Sequence, residues 1–486
     1  MWITANLVFF IFSIGHVLIT PRFNTTQIRK VGLQWSFMFF GLNSLWFFST
    51  NYLQNLDPTF LWHHNPLTLF LLVPNHSLFA LDVIAGLLVV LSTCLIPVCL
   101  LASWNSIKFL WKEFVICLLT IDILLVLTFT VLDLIWFYIF FEGILIPVFI
   151  VIGVWGSRQD KVTAAFYFFF YTLLGSILFL LSIFFIYYKT GTTNLTLLQL
   201  IPLEPEWQNY LFIGFMLSFA VKLPQFPCHI WLPQAHVEAP VAGSILLAGI
   251  LLKLGGYGYI RFCFPLFPNA TVYFGPLMCA LGFLAVFWGS INTLRQADMK
   301  RLVAYSSVAH MGLVTLALFS NHPEGILGAM LVMVAHGFVS PALFIMVTFL
   351  YDRFHTRLIR YYRGLTYATP LFSLLFLILS LMNMGLPPTG NFIAEFICLL
   401  ALFKVSPLTT LFAGSGVILS AAYALWFCNR ICFGSLSNHL LWIKDINRRE
   451  TFLIAPLIIL PIFIGLFPAS LANPLNSLIT LSNHLL

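Results

Sequence analysis

Four ionisable residues stand inside long apolar runs: Glu142 in FYIFFEGILIPVF, Lys222 in FAVKLPQFP, Lys253 in GILLKLGGYG and Glu395 in GNFIAEFICLL. At the centre of a membrane helix each would cost roughly 2.5–3.5 kcal/mol, and the four together about 10–14 kcal/mol if all faced lipid. A chain that carries them must turn them toward one another or toward water. Two carboxyls and two amines can exchange protons. Burial disfavours the charged form of a lysine and a nearby carboxylate favours it, so a lysine held between these effects can gain or lose a proton when the carboxylate moves or is neutralised. Glu142 is expected to tune Lys222 in this way across neighbouring spans. Each residue also has a structural alternative: an ion pair or an interfacial position for Glu142, snorkelling to a helix end for Lys222, and for Lys253 a stem led to a loop by Gly255 and Gly256.

Four histidines lie in similar surroundings: His229, His236, His310 in AYSSVAHMG and His336 in LVMVAHGFVSP. Imidazole titrates near neutral pH and can pass a proton between its two nitrogens. Singly, each also reads as a hydrogen-bonded core residue; set among two lysines and a glutamate, the four read as a relay. No H-E-x-x-H or H-x-H spacing occurs among them, so a metal site is not expected. His63 and His64, beside a proline, are expected in a solvated loop. Asp82 is expected near a helix N-terminus, where the helix dipole favours it, and Asp122 is open between the two readings.

The chain that must position these groups has 486 residues, 60% of them hydrophobic and 8% charged, with a mean hydropathy of +0.98. Soluble globular chains carry about 25% charged residues. The apolar blocks run to about 20 residues, enough to cross a hydrocarbon core, whereas a membrane β-barrel would show alternating segments of about 10. The fold expected is an all-α polytopic membrane protein. Its charge of +7 is spread over short loops, which is no nucleic-acid footprint. The nine cysteines include no C-x-x-C pair and read as small buried hydrophobes, not as zinc or iron–sulfur ligands. The N-terminal run lacks a basic n-region and a small-residue cleavage site, and reads as a retained span. Heavy use of Phe, at 52 residues, hints at an AT-rich organellar coding sequence.

About 14 spans are expected, near 2–20, 31–51, 78–102, 114–132, 134–155, 163–188, 209–236, 240–263, 271–294, 302–320, 325–350, 370–400, 409–433 and 452–472. The odd-numbered connections hold 18 of the 23 basic residues and the even-numbered ones three, Lys189, Arg261 and Lys404. By the positive-inside rule the odd connections face inside and both termini outside. Lys222 and Lys253 are then the only two basic residues that this topology does not place in water.

Two spans are broken. Pro224 and Pro227 interrupt the seventh, and Gly385, Pro387, Pro388 and Gly390 the twelfth, because each proline removes an N–H and clashes with the carbonyl four residues back. The breaks hold the same place in two five-helix units, and an odd number of spans per unit inverts the second copy, as in transporters with midplane ion sites. The expected organisation is 1–110 for peripheral helices 1–3, 111–263 for the first repeat, 271–433 for the second inverted repeat, and 452–486 for helix 14 and the tail.

FAVKLPQFPCHIWLPQAHVEAP, KRLVAYSSVAHMG and GLPPTGNFIAEF resemble signature segments of the antiporter-like subunits of respiratory complex I, a superfamily that also holds the large subunits of multi-subunit cation/proton antiporters. The resemblance covers about residues 110–435. It implies a proton-translocating subunit of the membrane arm of an NADH:ubiquinone oxidoreductase; a sodium/proton antiporter subunit is the alternative. It also implies that Glu142 pairs with Lys222, that Lys253 is the central lysine and Glu395 the terminal glutamate, and that His229, His236, His310 and His336 fall on the hydrophilic axis. Gln234 departs from the family at a loop position that relatives often charge. With no Rossmann glycine pattern or cysteine cluster here, no cofactor is expected in this chain; NADH, FMN, iron–sulfur clusters and ubiquinone are implied in partner subunits. The implied partners are other membrane-arm subunits, including neighbouring antiporter-like ones, and lipids, with no nucleic acid. The implied location is the mitochondrial inner membrane with both termini on the intermembrane-space side, or alternatively a bacterial plasma membrane.

Overall fold

A computed structural model of the chain describes residues 2–54, 78–437 and 444–483. His63 and His64 lie outside these residues, as does the end of the 452–486 segment. A backbone in lipid can bond only to itself, so unbroken apolar runs become helices. The chain begins with α1 (Trp2–Ile19), α2 (Thr25–Gln54), α3 (Val83–Ala102), α4 (Trp111–Thr130), α5 (Leu134–Trp155) and α6 (Lys161–Thr190). Then come α7 (Pro205–Lys222), the short α8 (Trp231–Glu238) and α9 (Val241–Leu266). Next are α10 (Pro268–Leu294), α11 (Met299–Leu318), α12 (Pro323–Phe354), α13 (Pro370–Asn383), α14 (Gly390–Val405) and α15 (Pro407–Cys432). The chain ends in α16 (Arg448–Leu466) and α17 (Ala469–Asn483). Among the described residues, 11 helices are long and apolar enough to cross a membrane, and pairing between extended segments is limited to isolated bridges.

Helices α9 and α12 form the centre, because both are buried along their apolar lengths. The close approach of α9 to the first break depends on Gly255, where a Cβ would stand 2.7 Å from the Leu223 nitrogen and from the Phe219 carbonyl oxygen. That glycine therefore brings two backbones together; it does not free the Lys253 stem for a loop, since Lys253 is fully buried.

The two interruptions are built alike. Helix α7 ends at Lys222 and α13 at Asn383, each just before the proline pair. The carbonyls that lose their helical partners are taken by side chains returning from the next helix. Trp231 Nε1 donates to the Val221 carbonyl at 3.0 Å, and Asn391 Nδ2 to the Met382 carbonyl at 3.0 Å. Such pairing is required where backbone is unwound inside a membrane. Gln234, expected in a loop, lies within α8.

Candidate functional site: a buried lysine–histidine–glutamate line

Lys253 lies on a short α-helical stretch, Leu252–Gly258, with a wider five-residue turn on each side, Leu247–Leu251 and Tyr259–Cys263. Such π-turns occur frequently at functional sites. Here the wide turn has a definite effect. The Leu252 N–H reaches back to the Leu247 carbonyl and not to that of Ala248. The Lys253 ammonium donates to the Ala248 oxygen in its place.

From Lys253 a line of polar groups crosses the centre. Its Nζ is 3.1 Å from His336 Nδ1 on α12, and Ser340 Oγ stands 3.4 Å from the same nitrogen. The His336 ring lies 5.4 Å, centroid to centroid, from that of His310 on α11. His310 Nδ1 is 3.1 Å from Glu395 Oε1 on α14, and its Nε2 is 3.4 Å from the Tyr423 hydroxyl on α15. All five of these titratable groups are buried, so each needs a partner from another helix. The second break places Glu395: Gly385 takes a φ of +73°, and a Cβ there would stand 2.8 Å from Glu395 Oε2. Only glycine accepts that backbone without strain.

Other expected residues stand apart from this line. The Glu142–Lys222 pair is not closed: it is absent from the ion pairs within 4.0 Å among the described residues. Lys222 instead lies over the Phe141 ring at 4.3 Å, with Nζ 3.5 Å from the Phe141 carbonyl oxygen. Both Glu142 oxygens are buried without a hydrogen-bond partner. Pro147 accounts for part of this arrangement. It cannot donate to the Gly143 carbonyl, and α5 breaks its regular winding at Ile144. His236 stacks on Phe344 at 4.5 Å with the rings 3° from parallel, and both its nitrogens lack partners. His229 sits inside the first break, stacked on Phe226 at 5.7 Å. Asp82 caps α3 by accepting from the Ala85 N–H at 3.1 Å and binds Arg261 at 2.6 Å, which meets the expectation of a helix N-terminus. Asp122 is buried with both oxygens unpartnered.

Residues 132–420 match the family model described as NADH:quinone oxidoreductase/Mrp antiporter, transmembrane. The chain belongs to this family. Among curated relatives of this family member, NADH-ubiquinone oxidoreductase chain 4 of Metridium senile is 49% identical over 98% of both chains. The protein of that name from Chondrus crispus is 48% identical over 84% of both. Among solved structures, a chain of respiratory complex I from Thermus thermophilus with bound NADH aligns with a TM-score of 0.85 at 29% identity, covering 100% of this chain and 99% of that one. A chain of the membrane-bound sulfane sulfur reductase, an archaeal respiratory complex, shares the fold with a TM-score of 0.82 at 21% identity, over 97% of this chain and 77% of that one.

Some site residues of this antiporter-like subunit are not legible in its sequence. Tyr423 and Ser340 lie in apolar helices, where a hydroxyl gives no sign of its direction. Lys300 falls in a charged segment that reads as a loop, yet it is 1% exposed and donates to the Ala239 carbonyl at 2.7 Å. Arg357, in another such segment, is 3% exposed. Lys222 and Lys253 are therefore not the only basic residues withdrawn from water. The sole sequence signal for Lys300 is its place two residues after an N-capping aspartate, Asp298.

Proposed function

We infer that this chain is a proton-translocating subunit in the membrane arm of respiratory NADH:ubiquinone oxidoreductase. Electron transfer from NADH to quinone occurs in partner subunits, and this chain couples to it by moving protons. It is a multi-pass protein of the mitochondrial inner membrane. The sodium/proton antiporter reading is not favoured, because curated relatives 44–49% identical over most of the chain are named NADH-ubiquinone oxidoreductase chain 4.

The observation that carries the mechanism is the buried line from Lys253 to Glu395, in which Lys253 lies 3.1 Å from His336 and His310 lies 3.1 Å from Glu395, with the two histidine rings 5.4 Å apart between them. A proton on Lys253 Nζ can pass to His336 Nδ1 within hydrogen-bond reach, as proton transfer requires. His310, rotating between His336 and Glu395, would carry it on, with Tyr423 holding the far nitrogen of the ring. Glu142 and Lys222 are read as the adjoining gate, open in this structure, with His229 and His236 on the approach to Lys253. Residues 111–263 and 271–433 are read as inverted repeats within about 14 spans, each repeat contributing one break. The charge asymmetry of the loops favours odd connections in the matrix and both termini in the intermembrane space. NADH, FMN, iron–sulfur clusters and ubiquinone belong to the partner subunits in this reading. The neighbours are other membrane-arm subunits, antiporter-like ones among them, and lipids.

The test uses the whole complex in inverted vesicles. Lys253→Met and Lys222→Met should each leave the complex assembled and lower NADH-driven proton uptake by about tenfold or more. Unchanged proton-to-electron stoichiometry in both variants would sink the assignment.

A further inference from the structure

A second group of buried charges gathers around the connection between α8 and α9, and the relay above does not use it. Glu238 ends α8, is 7% exposed, and has Oε2 buried without a hydrogen-bond partner. Four charged groups face it from three directions: Arg158 and Asp160 from the α5–α6 connection, Lys300 from α11, and Arg357 from the segment after α12. The backbone around it is tightly held. The Ser157 N–H donates to the Glu238 carbonyl at 3.0 Å, Arg357 donates to the Val237 carbonyl and to Ser157 Oγ, and Lys300 donates to the Ala239 carbonyl at 2.7 Å. Asp298, paired with Arg158 at 3.6 Å, closes the group, and its segment bridges to Leu358 beside Arg357.

Lys300 is the member nearest the relay, because its amine is held at the Ala239 carbonyl, one residue past Glu238 and three past His236. It interacts electrostatically with Glu238 and with His236 without an ion pair or hydrogen bond to either among the described residues, and His236 in turn interacts with Lys253. Glu238 and His236 are two residues apart on one helix and so point to different faces, which makes a direct handover between them unfavourable. A long side chain anchored at the Ala239 carbonyl, at the end of that helix, can turn its amine toward either residue.

We propose that Glu238 and Lys300 form a proton-uptake port on the inner face, loading His236 and through it Lys253. Glu238 Oε2 takes a proton from a hydronium ion, leaving water and an O–H bond. That bond breaks as the proton moves to the unprotonated amine of Lys300. The ammonium so formed releases it to a ring nitrogen of His236 and returns to the amine. One proton moves at each step and no electrons do. Burial pushes the Glu238 carboxyl above its ordinary range despite the cations around it, which suits a group that must hold a proton before passing it on.

This port rests on the reading of Lys253 as a proton carrier, so the experiment includes that residue. The complete complex is placed in inside-out vesicles, and NADH-driven proton uptake is followed while bulk pH, which is the inner-face pH, is varied. Glu238→Gln and Lys300→Arg should each lower uptake by about tenfold or more and flatten its dependence on bulk pH, whereas Glu238→Asp keeps that dependence. Lys300→Arg keeps a donor for the Ala239 carbonyl but cannot release a proton, so a purely anchoring lysine would tolerate it; it also serves where Glu238→Gln fails to assemble. Wild-type uptake and pH dependence in Lys300→Arg and Glu238→Gln, beside an impaired Lys253→Met, overturns the port alone. A silent Lys253→Met overturns the relay and the port with it.

Discussion

Lys253 on α9 and His336 on α12 meet at 3.1 Å, between helices buried along their apolar lengths. Both are buried, so each depends on the other, and Lys253 also on the carbonyl that the wide turn at Leu247–Leu251 leaves to it. Removing one partner strands the other in a low-dielectric interior, which costs more than the contact contributes when intact.

His336→Ala should therefore impair both function and order at the centre. NADH-driven proton uptake by the assembled complex is expected to fall by about tenfold to a hundredfold. His336→Gln, which keeps a polar partner for Lys253 but cannot relay a proton, should restore assembly on native gels without restoring uptake. Recovery of uptake in the glutamine variant would remove His336 from the path.

The far end of the line makes a separate prediction. Glu395 faces His310 Nδ1 and Tyr423 faces Nε2. Glu395→Gln should lower uptake strongly and Glu395→Asp mildly. Tyr423→Phe removes only a neutral hydroxyl contact, for which about 0.5–1.5 kcal/mol is typical. A ranking with Tyr423→Phe as the most severe of the three, measured as initial uptake rates, would contradict this geometry.

Packing at the first break predicts a stability defect without chemistry. Gly255→Leu would drive a side chain into the Leu223 nitrogen and Phe219 carbonyl. Overpacking of this kind costs about 1–3 kcal/mol or more. Thermal unfolding of the purified complex should show a lower transition, and Gly275→Ala, at a position with open space, should not.

The pH dependence of stability can be read from Glu238. Its carboxyl is raised above the ordinary value of 4.5 by burial, with Arg158, Arg357 and Lys300 acting the other way. A carboxyl raised in the folded state favours the fold fully below its unfolded value, and that contribution is lost as pH rises through the folded value. Glu238→Gln should thus match the wild type below pH 4.5 and gain on it as pH rises through and above that point. Melting curves in detergent across this range check the sign.

Membrane residence, the helical class and the two breaks are all legible in the residues. They follow from local rules: apolar length sets a span, and proline denies its helix a donor. The ionisable residues of the central line are legible too, because a charge in an apolar run costs too much to stand there without a partner or a task. Which charges meet was decided by tertiary structure alone. Glu142 and Lys222 are expected to pair, yet Lys222 rests over the Phe141 ring and beside its carbonyl, and the ion pair is not closed among the described residues. His310 and Glu395 are 85 residues apart in sequence and 3.1 Å apart in space. Lys300 and Arg357 sit in segments rich in charge and read as loop residues, but the carbonyls at the end of α8 draw them inward. A sequence shows where a charge falls along its own helix. Only packing shows which carbonyl, ring or carboxylate on another helix is there to receive it.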